Sequence, residues 1–201
     1  MEKTVTCRRF EERDIDFIYK CKNDEKLNSM VVGNWKPLTY EDAAQWVRNC
    51  MKGDRSDLKF WAVATNDEKQ KIIGWISLSQ INSENHSACH HGIVIGDSAY
   101  RDGVAMFEAM VFSLAFAFQE LGLHRLYGSC LSIHQTSPHL LNALGFSLEG
   151  IEKDSVYKKG RYYDISKYAL LENDYNNYLR EGRYETRNLV KLFIKSLKNK
   201  E

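Results

Sequence analysis

The sequence predicts an α/β protein: a mixed, mostly antiparallel central sheet with helices on both faces, followed by a helical tail. Three observations carry this. Apolar runs of strand length, Phe60–Ala64, Ile72–Leu78 and Ala88–Ile95, follow one another with polar segments between them. Gly92-Ile-Val-Ile-Gly96 then passes through Asp97-Ser-Ala-Tyr-Arg-Asp-Gly103 into a long apolar helix, Val104–Leu121. From the third run onward the order is βαβαββ, which places helices against a sheet.

Each element has a local reason. Thr4–Phe10 alternates like a strand, and Asp14–Cys21 carries Ile15, Phe17, Ile18 and Cys21 at helical spacing. Trp35-Lys-Pro-Leu38 reads as a loop. Thr39 caps the next helix, with Asp42 three residues on, close to a capping box. That helix runs to about Met51 and buries Ala43, Trp46, Val47 and Cys50. Asn66–Gln70 is the polar turn between the first two apolar runs. Arg125–Cys130 is the strand after the apolar helix. Pro138–Leu144 is a short helix closed by Gly145, with Ser137 as its expected N-cap and Pro138 at its first position. Phe146–Glu149 and Ile165–Leu171 close the sheet, and Lys158-Lys-Gly-Arg161 is a charged hairpin turn between them.

A domain over residues 1–171 is expected, with 172–201 as a helical extension. Asp174–Arg180 is helical, Gly182 breaks it, and Thr186–Leu197 is a second helix. Leu189, Leu192, Phe193 and Leu197 share one face; Arg187, Lys191, Lys195 and Lys198 supply the polar side. A basic amphipathic helix also suits a membrane surface. Docking on its own domain, or on a second subunit in a homodimer, is the expectation.

Composition narrows the function. The 201 residues are 43% hydrophobic and 27% charged, as expected of a globular chain with a sizeable core. A formal net charge of +1 argues against nucleic acid or an anionic membrane as the main partner. The five cysteines, at 7, 21, 50, 89 and 130, contain no C-x-x-C pair. They fit reduced thiols in a cytoplasm rather than disulfides or a metal site. The first residues hold no apolar signal core. The apolar helix is interrupted by Glu108, Ser113, Gln119 and Glu120, so it reads as a core helix and not a membrane span.

The strand–turn–helix from Gly92 to Leu121 is the most informative feature. Such a unit aims backbone N–H groups and a positive helix end at one point, which suits a phosphate or pyrophosphate. A plain core unit without a ligand is the alternative. The element order, together with His134-Gln-Thr-Ser137-Pro-His-Leu-Leu-Asn-Ala-Leu-Gly-Phe-Ser-Leu-Glu-Gly150, resembles the GNAT superfamily of acetyl-CoA-dependent N-acetyltransferases. The nearest likeness is to its Rim-type branch, named for acetylation of ribosomal-protein N-termini. That branch shows N-x-x-S-x-x-L-L-x-x-L-G-F-x-x-E-G here. Ser137, Leu140, Leu141, Leu144-Gly-Phe146 and Glu149-Gly150 match it, His134 stands in place of Asn, and Tyr162-Tyr-Asp164 matches a closing Tyr-x-Asp.

The resemblance implies acetyl-CoA as cosubstrate and a primary amine as acceptor, either a protein N-terminus or an amino sugar. The amine attacks the thioester directly in a ternary complex. The implied cofactor residues are Ile93, Val94 and Ile95 beside the pantetheine, the turn Tyr100, Arg101, Asp102, Gly103, Val104, Ala105 and Met106, and His134. The family's R/Q-x-x-G-x-G/A turn aligns best with Tyr100-Arg-Asp-Gly103-Val-Ala105. His90 stands where the family often has a Glu, and an imidazole titrates near neutrality, so it is the candidate proton acceptor, with His91 on the opposite strand face. Leu141 replaces the Tyr that many members use as an acid, and Ser137 is the candidate donor to the thioester end. Trp35, Gln80 and Asn82 are the candidate acceptor-side residues. No metal is expected. A non-catalytic acyl-CoA or small-molecule binding module on the same fold is the competing reading.

Overall fold

The structure, a computed structural model, describes residues 3–29, 31–32, 36–101 and 103–198, with His91 described by its backbone alone. The chain forms two compact units. The first comprises Met1–Met30, Trp35–Ile81 and His91–Leu114; the second comprises Val31–Asn34, Asn82–His90 and Ala115–Glu201.

The first unit holds β1 (Val5–Arg8), α1 (Ile15–Asn23), α2 (Glu25–Asn28), α3 (Tyr40–Lys52), β2 (Leu58–Thr65) and β3 (Ile72–Asn82). It also holds the end of β4 (Ser87–Ile95) and most of α4 (Val104–Ala115). β1 pairs antiparallel with β2, and β2 with β3. α3 starts as the sequence says: Thr39 Oγ1 accepts from Asp42 N at 3.1 Å, and Asp42 Oδ2 accepts from Thr39 N at 3.0 Å. The helix ends at Gly53, whose φ of 62° is left-handed, the conformation that a glycine C-cap supplies without strain. Ile15, Ile18, Ala44, Val47, Ala62, Ile72 and Trp75 form one core. The Trp46 ring meets Phe10, Phe60 and Trp75 edge-on at 5.1–6.2 Å between centroids.

The apolar helix ends sooner than its composition suggests. α4 stops at Ala115, and Phe116–Glu120 continues as a wider turn in which Leu121 N donates to Phe116 O at 3.0 Å. Ser113 is fully buried and donates to the carbonyl of Met110, so its hydroxyl is satisfied without leaving the core. Glu108 also has a structural role: its carboxylate accepts from the N–H groups of Thr4 and Val5, at 2.8 and 3.0 Å.

The second unit holds the start of β4, β5 (Arg125–Leu131), α5 (Ser137–Leu144), β6 (Ser147–Lys158), β7 (Arg161–Leu171), α6 (Glu172–Arg180) and α7 (Thr186–Lys198). The strand order is β4-β5-β7-β6, with β4–β5 parallel and both pairings of β7 antiparallel. β6 and β7 are far longer than the segments Phe146–Glu149 and Ile165–Leu171 suggest. β5 ends opposite Ile165, so the hairpin projects past it as an arm.

The tail packs on the second unit. Leu189 is fully buried, and Tyr184 donates to Leu144 O at 3.1 Å. Arg183 donates to the carbonyls of Ala143 and Asn142 at 2.8 and 2.6 Å, capping the C-terminal end of α5. Tyr175 stacks on Phe118 and on Tyr184. The predicted apolar face is only partly covered: Leu197 stays 42% exposed.

Candidate active site

The cofactor candidates lie on the first unit, where β4 ends, turns and enters α4. Ile73 O accepts from both Gly96 N and Asp97 N, at 2.9 and 3.1 Å, which fixes the end of the strand. Two glycines permit this packing. A Cβ on Gly74 would stand 2.2 Å from Val94 O, and one on Gly96 would stand 2.3 Å from Cys21 Sγ. Asp97 then opens a single 3₁₀ turn over Ser98–Tyr100 by accepting from Ala99 N at 3.1 Å. Lys71 donates to the same carboxyl and holds it below the usual carboxylate range.

Arg101 folds back on the strand, donating from Nε to Ile95 O at 3.0 Å and from Nη2 to Gly96 O at 2.8 Å. Its guanidinium therefore fastens the turn. Asp102 lies outside the described residues. Gly103 has a φ of 92°, strained for any L side chain, and a Cβ there would meet nothing within 4 Å. Phe107 N donates to Gly103 O at 3.0 Å, so α4 begins immediately, and helix geometry turns the amides of Val104, Ala105 and Met106 out of its N-terminal end. Ala105 is buried, where a larger side chain would not fit without displacing its neighbours. Gly92, at φ 102°, is a second glycine-favouring position, inside β4, two residues before Val94. Positive φ values, open space at Gly103 and an outward-facing helix start suit a phosphorylated ligand approached by backbone.

The catalytic candidates lie on the second unit. His90 is buried at 5% exposure, and its ring stands edge-on to Phe146 at 6.4 Å. A Cβ on Gly128 would lie 3.3 Å from His90 O, so β5 runs close beside it. Ser137 is half-buried at the start of α5, and here the sequence expectation needs correction. Ser137 is the first helical residue, Thr136 takes the N-cap position, and neither hydroxyl caps the helix. The cap is His134. Its Nδ1 accepts from Ser137 N at 3.1 Å and from Thr136 N at 3.3 Å. An imidazole nitrogen accepts only when unprotonated, so the proton sits on Nε2. Burial pushes the His134 pKa down, in keeping with a neutral ring. Leu141, which the resemblance places where many members carry a Tyr, is buried.

Two motif residues are structural. Glu149 forms a fork-like pair with Arg125, Nη1 to Oε1 at 2.7 Å, which holds the Glu149 carboxyl below its usual range. Asp164 accepts from Asp154 N and Lys153 Nζ at 2.9 and 3.0 Å, so it stitches an irregularity of β6 where Asp154 takes a φ of 50°.

On the acceptor side, Trp35 lies outside the described residues. Gln80 is exposed at the end of β3 with a φ of 51°, in the first unit. Asn82 is exposed in the second unit, and its Oδ1 accepts from Asn85 N at 2.8 Å, which forms the turn into β4. Sequence reading missed Lys158. It is 5% exposed, its Nζ donates to Val31 O at 2.5 Å, and burial pushes its pKa down. The basic turn was visible in the sequence; the burial of one of its lysines was not.

Among the described residues no cysteine forms a disulfide, and burial raises the thiols of Cys7, Cys21, Cys50 and Cys130, so none of these four is an activated nucleophile. Among the described residues no helix is long and apolar enough to cross a membrane.

Known proteins agree with this architecture. A spermidine N(1)-acetyltransferase of Vibrio cholerae serotype O1 is 26% identical over 179 residues, 88% of this chain and 98% of that protein. An uncharacterized N-acetyltransferase of Bacillus subtilis, YnaD, is 27% identical over 174 residues, 87% of this chain and 97% of that protein. The crystal structure of the Vibrio cholerae spermidine N-acetyltransferase in complex with CoA and spermine superimposes with a TM-score of 0.75 at 23% identity, over 87% of this chain and 99% of that one. A GNAT acetyltransferase from Bacillus anthracis does so with a TM-score of 0.72 at 22% identity, over 86% and 98%. At those identities the two structures speak for the fold. The sequence model of the acetyltransferase (GNAT) domain matches residues 4–147. The chain therefore belongs to the GNAT acetyltransferase family, and it is an acyltransferase that uses acetyl-CoA.

Proposed function

We propose that this chain transfers an acetyl group from acetyl-CoA to a primary amine by direct attack in a ternary complex, on a protein N-terminus or an amino sugar. The observation that carries the reading is the glycine-dependent passage from Gly92 through Gly103 into α4. When bound there, acetyl-CoA supplies an activated acetyl thioester. Ile93, Val94 and Ile95 offer strand backbone to the pantetheine amides, as an added strand would. The turn Tyr100, Arg101, Asp102, Gly103 and the first helical residues Val104, Ala105 and Met106 take the phosphates by backbone N–H groups.

Within the second unit the roles divide. His90 accepts the amine's proton, directly or through water, so that a neutral nitrogen attacks. Ser137 donates a hydrogen bond at the thioester end from the first turn of α5, where the helix dipole favours developing negative charge. His134 holds that turn through Nδ1 and keeps an Nε2–H for the cofactor side. Trp35, Gln80 and Asn82 are the proposed acceptor-side residues. Leu144-Gly-Phe146 and Glu149-Gly150 support placement in the Rim-type branch, and the free thiols suit a cytoplasmic enzyme. A polyamine acceptor is the second reading, favoured by the relative named for spermidine.

The test is an acceptor panel of N-terminal peptides, amino sugars and polyamines, with CoA release and product mass as readouts. Acetylation of a peptide or amino sugar with the highest kcat/KM supports the first reading. Saturable acetyl-CoA binding without acetylation of any amine would leave a binding module.

A further inference from the structure

We infer that the C-terminal tail takes part in the reaction: Ser196 of α7, acting through His139, is a positioning residue for the turn of α5 that carries Ser137. The inference rests on the transferase reading above and adds to it a residue outside the matched domain, 4–147. α5 has only eight residues, too few for a helix to hold its own geometry in water. Its placement depends on what packs against it, and the tail grips it at both ends. At the C-terminal end, Arg183 donates to Asn142 O and Ala143 O, and Tyr184 donates to Leu144 O. The Tyr178 ring closes on Gly145, where a Cβ would stand 2.5 Å from it, and the Arg183 guanidinium lies over that ring at 4.2 Å. At the N-terminal end, His139 Nδ1 meets Ser196 Oγ at 2.6 Å.

The N-terminal contact is polar where its surroundings are apolar. Leu189 is fully buried on the packed side of α7, and Ser196 falls two turns further along that side. His139 is itself buried. A satisfied polar pair in such a place fixes one arrangement, where apolar contacts alone allow sliding. His139 follows Ser137 by two residues, so the two side chains leave the same turn on nearly opposite sides. His139 meets the tail, and the half-buried Ser137 is turned away from it. A displacement of about 1 Å near the reacting atoms can cost roughly 100-fold in rate. A contact on the far side of the turn therefore has leverage on Ser137.

The experiment compares Ser196→Thr with Ser196→Val in the full chain, because the two differ by the hydroxyl and little in shape. Acetyl-CoA is the donor, and an N-terminal peptide, glucosamine and spermidine are the acceptors. In Ser196→Thr kcat should stay within about twofold of wild type, and in Ser196→Val it should fall about fivefold or more, the scale of one lost hydrogen bond. KM for acetyl-CoA should move by less than about twofold in both, since the turn at Gly103 is untouched. In a Ser137→Ala background the two variants should turn over alike within about twofold, because the group being positioned is gone. Hydrogen exchange with free CoA present reads the turn without chemistry: the amides of Ser137, His139 and Leu140 should exchange about fivefold or more faster in Ser196→Val than in Ser196→Thr. Melting temperatures within about 5 °C of each other exclude global unfolding. Equal kcat or equal exchange at the turn in the two variants overturns the inference, and so does an undiminished difference between them in the Ser137→Ala background. No transfer to any amine by the wild type strikes the proposed reaction instead, and exchange at the turn then decides the role of Ser196 by itself.

Discussion

At the residue scale the most consequential finding is that His134, and not Ser137, caps α5. The sequence shows a Ser before a Pro, which reads as an N-cap. It does not show that an imidazole three residues earlier occupies the cap instead, because that depends on the turn after β5. Two expectations follow. Ser137→Ala should change stability by less than about 0.5 kcal/mol, since no cap is lost, yet lower turnover; urea denaturation and steady-state kinetics separate these. His134→Ala should cost about 0.5–2 kcal/mol near neutral pH, the range for a lost cap. Burial depresses the His134 pKa, so the folded state favours the neutral ring. Its contribution is then fully present above the ordinary histidine value and is lost as pH falls through the lowered folded value. The stability gap between wild type and His134→Ala should therefore narrow from about pH 7.5 to about pH 5. A gap independent of pH would mean that Nδ1 is not the cap. His90→Ala is expected to lower kcat/KM by roughly 100-fold and to remove the near-neutral limb of the pH profile, as loss of a general base does.

At the element scale, legibility follows burial. β2, β3 and β4 were read because their apolar residues face a core. The capping box of α3 and the Gly145 end of α5 were read because caps are local chemistry. β6 was not, beyond its first residues, because most of its residues face solvent and no period-2 pattern arises. α2 was missed as a single short turn, and the wider turn at Phe116–Glu120 is invisible in a run that is apolar throughout. The tail was legible as helices, but not what it does to α5: Arg183 and Tyr184 satisfy three carbonyls at its C-terminal end, and His139 Nδ1 meets Ser196 Oγ at 2.6 Å. Truncation after Leu171 should lower the melting temperature and reduce solubility by uncovering the surface under Leu189 and Tyr175. An unchanged melting curve would show the tail to be dispensable for the packing of α5.

At the scale of the whole molecule, fold and reaction class were legible and the acceptor was not. The Gly-Phe-x-x-Glu-Gly run and the Gly92–Gly103 passage are local in sequence. Contacts such as that of Lys158 with Val31 O, and the pairing of β6 with β7, join residues that only folding brings together. The central claim is that acetyl-CoA is held by backbone at the turn into α4 and its acetyl group passed to an amine. The direct measurement is acceptor-dependent CoA release as a function of acetyl-CoA concentration, for wild type and for Gly103→Val. A β-branched residue at φ 92° must distort this turn. Expected is saturable, amine-dependent release in the wild type and a KM for acetyl-CoA raised about tenfold or more in the variant, a loss of at least roughly 1.4 kcal/mol of binding. An unchanged KM in a folded Gly103→Val, or no amine-dependent release by the wild type, would contradict it.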